Sequence, residues 1–340
     1  MKRIVIRSKL DLAEEDVPVP EPGADEVRLK VAYVGICGSD LHYYFQGANG
    51  EFVVREPLVP GHELSATVDL DPSGRLAAGT PVTVHPARFG TPQPGLEDRP
   101  HLWPNGSYLG SASTWPHTQG GMAQYLVVRA DMVRVLPPGL PLRRAALAEP
   151  LGVALHGINQ GGGVAGARVL VSGAGPIGLL AAAAARIKGA AEVTSCDILD
   201  GPLERARQLG VDQRIKLGDQ AVPATAYDVV LECSGAIAAV NSAAAAVRRA
   251  GTVVQIGMVP DVPQGINLAP YISKEVNWHG CFRFKDEIDD AITLLADNPS
   301  FDAVVTHVIP AGRAEEAFAV AKDSQVSGKV LVALWDEAQQ

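Results

Sequence analysis

Arg168-Val-Leu-Val-Ser-Gly-Ala-Gly-Pro-Ile-Gly178 decides the fold of this chain. Its first five residues are a short apolar run, as expected of a strand buried on both faces. Gly173, Gly175 and Gly178 follow at the spacing of a dinucleotide turn. The first permits the tight turn, the second lets the backbone approach a pyrophosphate, and the third lets helix pack on strand. Pro176 and Ile177 open the helix, where a missing N–H costs nothing. The free N–H groups of that helix end would face the phosphates. The spacing predicts a strand over 168–172 and a helix over 176–188.

The next strand, expected over 192–197, ends at Asp197. An acid there accepts hydrogen bonds from an adenosine ribose and repels a 2′-phosphate. Ile198 follows it, and Arg205 lies a turn into the next helix. The reading is NAD, with NADP as the alternative and Arg205 grouped with the cofactor contacts.

Working outward, the alternation continues. A helix is expected over 202–209, a strand over 227–233, a helix over 236–250 and a strand over 251–257. A further strand is expected over 276–284, helices over 286–297 and 314–321, and a last strand over 329–334. Strand–helix alternation implies a parallel sheet covered on both faces. The part before residue 150 differs. It holds most of the 25 prolines, which suits turns and short strands. Val27, Leu29, Val31 and Tyr33 alternate with residues of the opposite face, a half-buried strand. Further strands are expected over 64–70, 81–85 and 122–128. The fold class is therefore α/β: a β-rich domain over 1–147 and a doubly wound dinucleotide domain over 148–285. The first is expected to be completed by residues 286–340.

The chain has 340 residues and a net charge of −9. That charge argues against nucleic acid and anionic membrane as partners. No apolar run is long enough to span a bilayer, and the N-terminus lacks a signal-peptide core, so a cytoplasmic location is expected. The cysteines are Cys37, Cys196, Cys233 and Cys281, with no close pair. The last three follow apolar runs and are expected to be small buried residues.

Cys37 lies in a turn, in Cys37-Gly-Ser-Asp-Leu-His42. Gly61-His62-Glu63 and Glu149-Pro150 complete the set of potential ligands. A thiolate, an imidazole and one carboxylate balance Zn²⁺ and leave a fourth position open. Two carboxylates bound together would blunt its Lewis acidity. The sequence leaves open whether Glu63 or Glu149 ligates while the other holds a water.

These motifs resemble the zinc-dependent medium-chain dehydrogenases over essentially the whole chain. The resemblance is carried by Gly35-Ile-Cys-Gly-Ser-Asp-Leu-His-Tyr-Tyr44, Pro60-Gly-His-Glu63, Ala148-Glu-Pro-Leu151, the 173–178 fingerprint and Gly280-Cys-Phe-Arg-Phe284. It is strongest with the polyol branch, which includes sorbitol and L-idonate 5-dehydrogenases. Gly110-Ser-Ala112, Pro116-His117 and Gly120-Gly121 look closer to the idonate enzymes. The resemblance implies a GroES-like domain plus a Rossmann domain, and a homodimer or homotetramer. It implies hydride transfer between NAD(P) and a secondary alcohol of a polyol or sugar acid, with L-idonate favoured. Ser39 and His42 would relay the hydroxyl proton through the cofactor ribose; a simpler reading has Ser39 and Asp40 cap a helix. Tyr43 and Arg283 are candidate substrate contacts. Ser234, Ile256, Phe282 and Arg283 are candidate cofactor contacts.

Many relatives hold a second, structural zinc with four close cysteines. Residues 86–121 contain none, so one catalytic zinc and no structural zinc are expected. His85, His101 and His117 are too dispersed to replace it. The rival substrates are threonine and butanediol. A rival class is a zinc-free quinone reductase or a non-catalytic cofactor binder, which would need none of Cys37, His62 and Glu149.

Overall fold

The structure is a computed structural model and describes residues 1–335. Among these residues the strands form two large sheets. One is wholly parallel, in the order Gln213–Lys216, Glu192–Asp197, Arg168–Ser172, Tyr227–Glu232, Val247–Gln255, Asn277–Gly280. The order reverses beside Arg168–Ser172, the first strand of this sheet. A crevice therefore opens at its carboxyl end, where such sheets bind dinucleotides. The helices Pro176–Ile187 and Asp200–Gln208 connect its early strands. The alanine-rich stretch 178–185 is buried throughout, because small side chains let this helix approach the sheet closely.

The second sheet runs Val133–Val135, Pro81–Val84, Glu63–Leu70, Glu26–Gly35, Lys329–Ala333, Val305–Pro310, with Tyr125–Arg129 also paired to Glu26–Gly35. Its register pairs Gly35 with both Glu63 and Leu331. The last strands of the chain thus enter the sheet built by its beginning, and they bring a C-terminal lysine beside Glu63.

Local pattern and structure differ at several places. The alanine helix ends at Ala246, not Ala250, because Val247 pairs with Tyr227 and starts the strand early. The strand expected to reach residue 284 stops at Gly280; Arg283 takes a left-handed φ of 53°, which no strand accommodates. The Gln213–Lys216 and Val305–Pro310 strands were not expected from the pattern. Cys196 is buried as expected, but Cys233 and Cys281 are only half-buried.

Arg144 ties the beginning of the chain to its later part: its guanidinium donates bidentately to Asp302 at 2.8 and 2.7 Å and to the Leu295 carbonyl at 3.1 Å. Within the fingerprint, Gly173 has φ 90°. A Cβ on Gly178 would lie 1.8 Å from the Gly173 carbonyl oxygen, whereas one on Gly175 would meet nothing. Gly178→Ala should therefore cost about 2–3 kcal/mol by overpacking and disrupt the turn; a urea midpoint equal to that of the unmodified chain would contradict this.

Candidate metal and cofactor site

The site is assembled from turns rather than from one element. Cys37 is the N-cap of the helix Gly38–Gln46, with extended backbone at φ −91° and ψ 160°. Its N–H donates to Asp40 Oδ2 at 2.9 Å. The other Asp40 oxygen accepts the Gly61 N–H at 3.0 Å. Gly61 has φ 93°, and a Cβ there would strike Val34 at 2.5 Å. One fully buried carboxylate therefore fixes the chain just before His62 and at Cys37. Of the pair Ser39 and Asp40 read as capping this helix, Asp40 does so, closing a capping box with the N-cap Cys37, while Ser39 lies inside the helix.

Cys37, His62 and Glu63 offer ligand atoms that all lie within 4.8 Å of one another. His62 and Glu63 are buried. Glu149 is buried too, in the first turn of Ala148–Gln160. Its Oε1 accepts the Tyr108 hydroxyl at 2.6 Å. Lys329, buried at the start of its strand, donates to Glu63 Oε1 at 2.7 Å and to the Ile36 carbonyl at 3.1 Å. Glu63 Oε2 lies 2.6 Å from the same nitrogen, so both carboxylate oxygens face the ammonium. The geometry groups Glu63, rather than Glu149, with the thiol and imidazole.

The charges reinforce this arrangement. Burial alone would lower the His62 pKa, but the Cys37 sulfur, then Glu149 and Asp40, outweigh it and raise it to about 10. Burial also pushes Glu149 and Asp40 upward, opposed by His62 in both cases. Lys329 is pulled down by burial but raised on balance, chiefly by Glu63 and Cys37. Thiol, imidazole and carboxylate thus form a buried acidic pocket that draws positive charge. With a thiol, an imidazole and a carboxylate converging, the donor set fits a borderline divalent cation such as zinc.

The other expected residues fall into three groups. Tyr43 is buried, and its hydroxyl accepts the Ala112 N–H at 3.1 Å. Arg283 places its guanidinium carbon 4.1 Å from the centre of the Tyr108 ring, so Tyr108 connects it to Glu149. Ser39 is half-buried and His42 exposed, with His42 Nδ1 3.0 Å from Asn49 Oδ1.

On the cofactor side, Asp197 accepts the Ala174 N–H at 2.8 Å and the Leu199 N–H at 2.9 Å. Its carboxylate therefore lies against the fingerprint of Gly173, Gly175, Pro176, Ile177 and Gly178. Ser234 is exposed beside this cleft. Its N–H and that of Gly235 are held by the buried Glu232 carboxylate at 2.9 and 3.0 Å. Ile256 and Phe282 line a cavity of about 300 Å³ with Met258 and Cys281. Arg205 departs from expectation: its guanidinium turns to the Ser324 and Gln325 carbonyls at 2.6 and 3.3 Å, a packing role away from the cleft.

His85, His101 and His117 are not brought together. His85 bonds the Lys285 carbonyl, His101 packs edge-on against His156, and His117 accepts the Arg55 N–H. Sequence reasoning missed Lys329 and Tyr108. A lysine opening an apolar strand and a tyrosine in a proline-rich stretch give no sign of a distant partner.

Two family models match the chain: an alcohol dehydrogenase GroES-like domain over residues 23–138 and a zinc-binding dehydrogenase over residues 176–297. Sorbitol dehydrogenase of Gallus gallus is 33% identical over 336 residues, covering 94% of this chain and 92% of that one. The Homo sapiens enzyme of the same name is 32% identical, covering 93% and 91%. The chain belongs to the zinc-dependent medium-chain dehydrogenases, in their polyol branch. It is an NAD(P)-dependent, zinc-type alcohol or polyol dehydrogenase. Among solved structures, L-idonate 5-dehydrogenase from Escherichia coli superposes with a TM-score of 0.91 at 29% identity, covering 98% of both chains. The 2R,3R-butanediol dehydrogenase from Bacillus subtilis gives 0.87 at 25%, covering 98% of this chain and 99% of that one. No helix among the described residues is long and apolar enough to cross a membrane.

Lys329→Met should leave the Glu63 carboxylate buried and unpaired. The metal-free protein should lose about 3–5 kcal/mol, the usual cost of removing one partner of a buried ion pair. Urea unfolding after chelation measures this; an unshifted midpoint would show that the pair contributes nothing.

Proposed function

We propose that this dehydrogenase moves a hydride between NAD and a secondary alcohol of a polyol or sugar acid, with L-idonate the favoured example. The observation that carries the reading is the buried grouping of Cys37, His62 and Glu63, with Arg283 held beside Glu149 through Tyr108. Zinc bound by the three would act as a Lewis acid on the substrate hydroxyl, and the nicotinamide would accept hydride. Glu149 is then the neighbouring carboxylate, able to hold a water or exchange with Glu63.

The chain's own residues do the rest. Ser39 and His42 sit three apart on one short helix whose N-cap is Cys37, which suits a proton path from the buried site to solvent. Tyr43 lines the same helix on its buried side. Arg283 can meet a carboxylate bidentately or a hydroxyl singly, so it serves acids and neutral polyols alike. Asp197, followed by the exposed Ile198, favours NAD over NADP. The cofactor contacts are the fingerprint glycines with Ser234, Ile256, Phe282 and Arg283.

The division of labour follows the sheets: residues 1–147 with 286–340 carry the metal site, and 148–285 hold the cofactor. One catalytic zinc suffices, since residues 86–121 offer no thiolate. A homodimer or homotetramer, in the cytoplasm, is the expected form. Asn277–Gly280 supports assembly, being an exposed edge strand of the parallel sheet that carries the exposed Trp278, with the exposed Ile272 shortly before it in the chain.

A panel of sugar acids, pentitols, hexitols, threonine and 2,3-butanediol, run with NAD and NADP and read by nicotinamide absorbance, tests the reading. The highest kcat/KM is expected for L-idonate or a hexitol with NAD; a strong preference for threonine, butanediol or NADP would overturn the corresponding part. Metal analysis should find about one zinc per chain, the number held by a single three-ligand site, and Cys37→Ser should lose both metal and activity. A fully active, metal-free Cys37→Ser protein would exclude the zinc reading.

A further inference from the structure

The turn that carries Arg283 is held from two sides, and neither holder belongs to the site described above. Arg283 itself adopts φ 53°, a conformation that a long side chain takes at a cost and keeps only where its surroundings enforce it. The enforcing contacts centre on Lys285. Its carbonyl accepts a hydrogen bond from His85 Nε2 at 2.7 Å, and His85 follows the strand Pro81–Val84 of the antiparallel sheet. Its N–H donates to Glu287 Oε2 at 2.9 Å, and the Asp286 N–H reaches the same oxygen at 3.2 Å.

The other Glu287 oxygen accepts His156 Nδ1 at 2.8 Å and Asn159 Nδ2 at 3.2 Å. Both donors lie on Ala148–Gln160, the helix that begins beside Glu149. One peptide unit of the Arg283 turn is therefore bonded at its carbonyl to the β domain. Its N–H is bonded through Glu287 to the helix carrying Glu149.

The chemistry of the two holders is consistent with fixed roles. His85 accepts the Ala87 N–H at Nδ1, 3.2 Å away, so the proton on Nε2 is committed to Lys285. Burial holds its pKa down, which keeps one tautomer. Glu287 makes no contact with the ligand residues. Its pKa is held at about 2, with burial opposing and His156 the strongest of the groups that lower it. Between His85 and Gly152, Phe284 is fully buried, its ring centre 4.8 Å from that of His85.

The geometry points to His85 and Glu287 as positioning residues that aim the Arg283 guanidinium at the substrate, so that they govern substrate affinity without touching it. The inference rests on the proposed role of Arg283 in binding hydroxyls or a carboxylate.

The test uses the zinc-loaded enzyme with NAD and two named substrates, D-sorbitol and L-idonate. Glu287→Gln keeps the shape but turns an amide N–H toward donors. His85→Ala removes the other holder, and His85→Gln restores a donor to Lys285. Glu287→Gln and His85→Ala should raise the KM of the better substrate about tenfold, the scale of one misdirected hydrogen bond to a charged group. The kcat should stay within about twofold, and His85→Gln should recover most of the loss. Hydrogen exchange at the Lys285 and Asp286 amides, slow in the unmodified enzyme, should quicken in Glu287→Gln.

An unchanged KM alongside faster exchange would overturn the inference. So would a parallel fall in kcat, NADH affinity and zinc content, which marks general damage. If the unmodified enzyme oxidises neither substrate, the substrate reading fails on its own. The exchange experiment then still decides whether the turn is held as described, and unchanged exchange in Glu287→Gln overturns that.

Discussion

One buried carboxylate holds together the part of this molecule on which its chemistry depends. Asp40 accepts N–H groups from Cys37 and Gly61, the latter 21 residues beyond it, and so joins a helix cap to a glycine turn. Each of those segments delivers a side chain of the proposed metal site. A carboxylate stripped of water is costly unless its oxygens are bonded, and here both are. The bonds that relieve that cost also bring Cys37 and His62 together. The register of Glu26–Gly35 against Glu63–Leu70 adds Glu63 to them. Ligand convergence is thus a property of backbone hydrogen bonding, present before any ion arrives.

The same pocket must tolerate a concentration of negative charge. Asp40, Glu63 and Glu149 are buried near one another, with the Cys37 sulfur among them. Lys329 and His62 oppose that charge from within the cluster, and Arg283 from the Tyr108 side. The pairing of Lys329 with Glu63 is instructive because it comes from the far end of the chain. It joins the final strand to the ligand-bearing one, so the sheet's closure and the charge balance of the site depend on the same contact. A divalent cation held here would add positive charge to this acidic cluster, and its ligands would have to be deprotonated to bind it.

What the sequence revealed follows the range of the forces involved. The strand 168–172 and the helix after it were legible because glycine spacing and apolar runs act within a dozen residues. Cys37, His62, Glu63 and Glu149 were legible because their residue types are chemically distinctive in combination. The choice between the two glutamates was not, since it depends on whether Tyr108 or Lys329 reaches each one, and both are distant in sequence. The early start of the strand at Val247 was hidden for a related reason. Alanine and arginine around it favour helix, and only the pairing with Tyr227 overrides that preference. Arg205 misled because proximity to Asp197 along the chain said nothing of the Ser324 and Gln325 carbonyls that claim its guanidinium.

The lobe over residues 86–121 is held by ordinary contacts. Thr91 donates to the Pro104 carbonyl at 2.8 Å, and the Trp103 indole N–H to that of Leu96 at 2.7 Å. Gly90 and Gly106 allow these backbones to pass closely; a Cβ on Gly90 would lie 1.8 Å from the Pro104 oxygen. Outward, Phe89 packs on His85, and His101 packs on His156. Those two histidines are the ones bonded to the Lys285 carbonyl and to Glu287. The lobe therefore leans on the same residues that hold the Arg283 turn. Its Tyr108 in turn joins Glu149 to the guanidinium. The segment is thus shaped by its attachment to the Arg283 turn and to Glu149, which ties its order to the geometry of that side of the cleft.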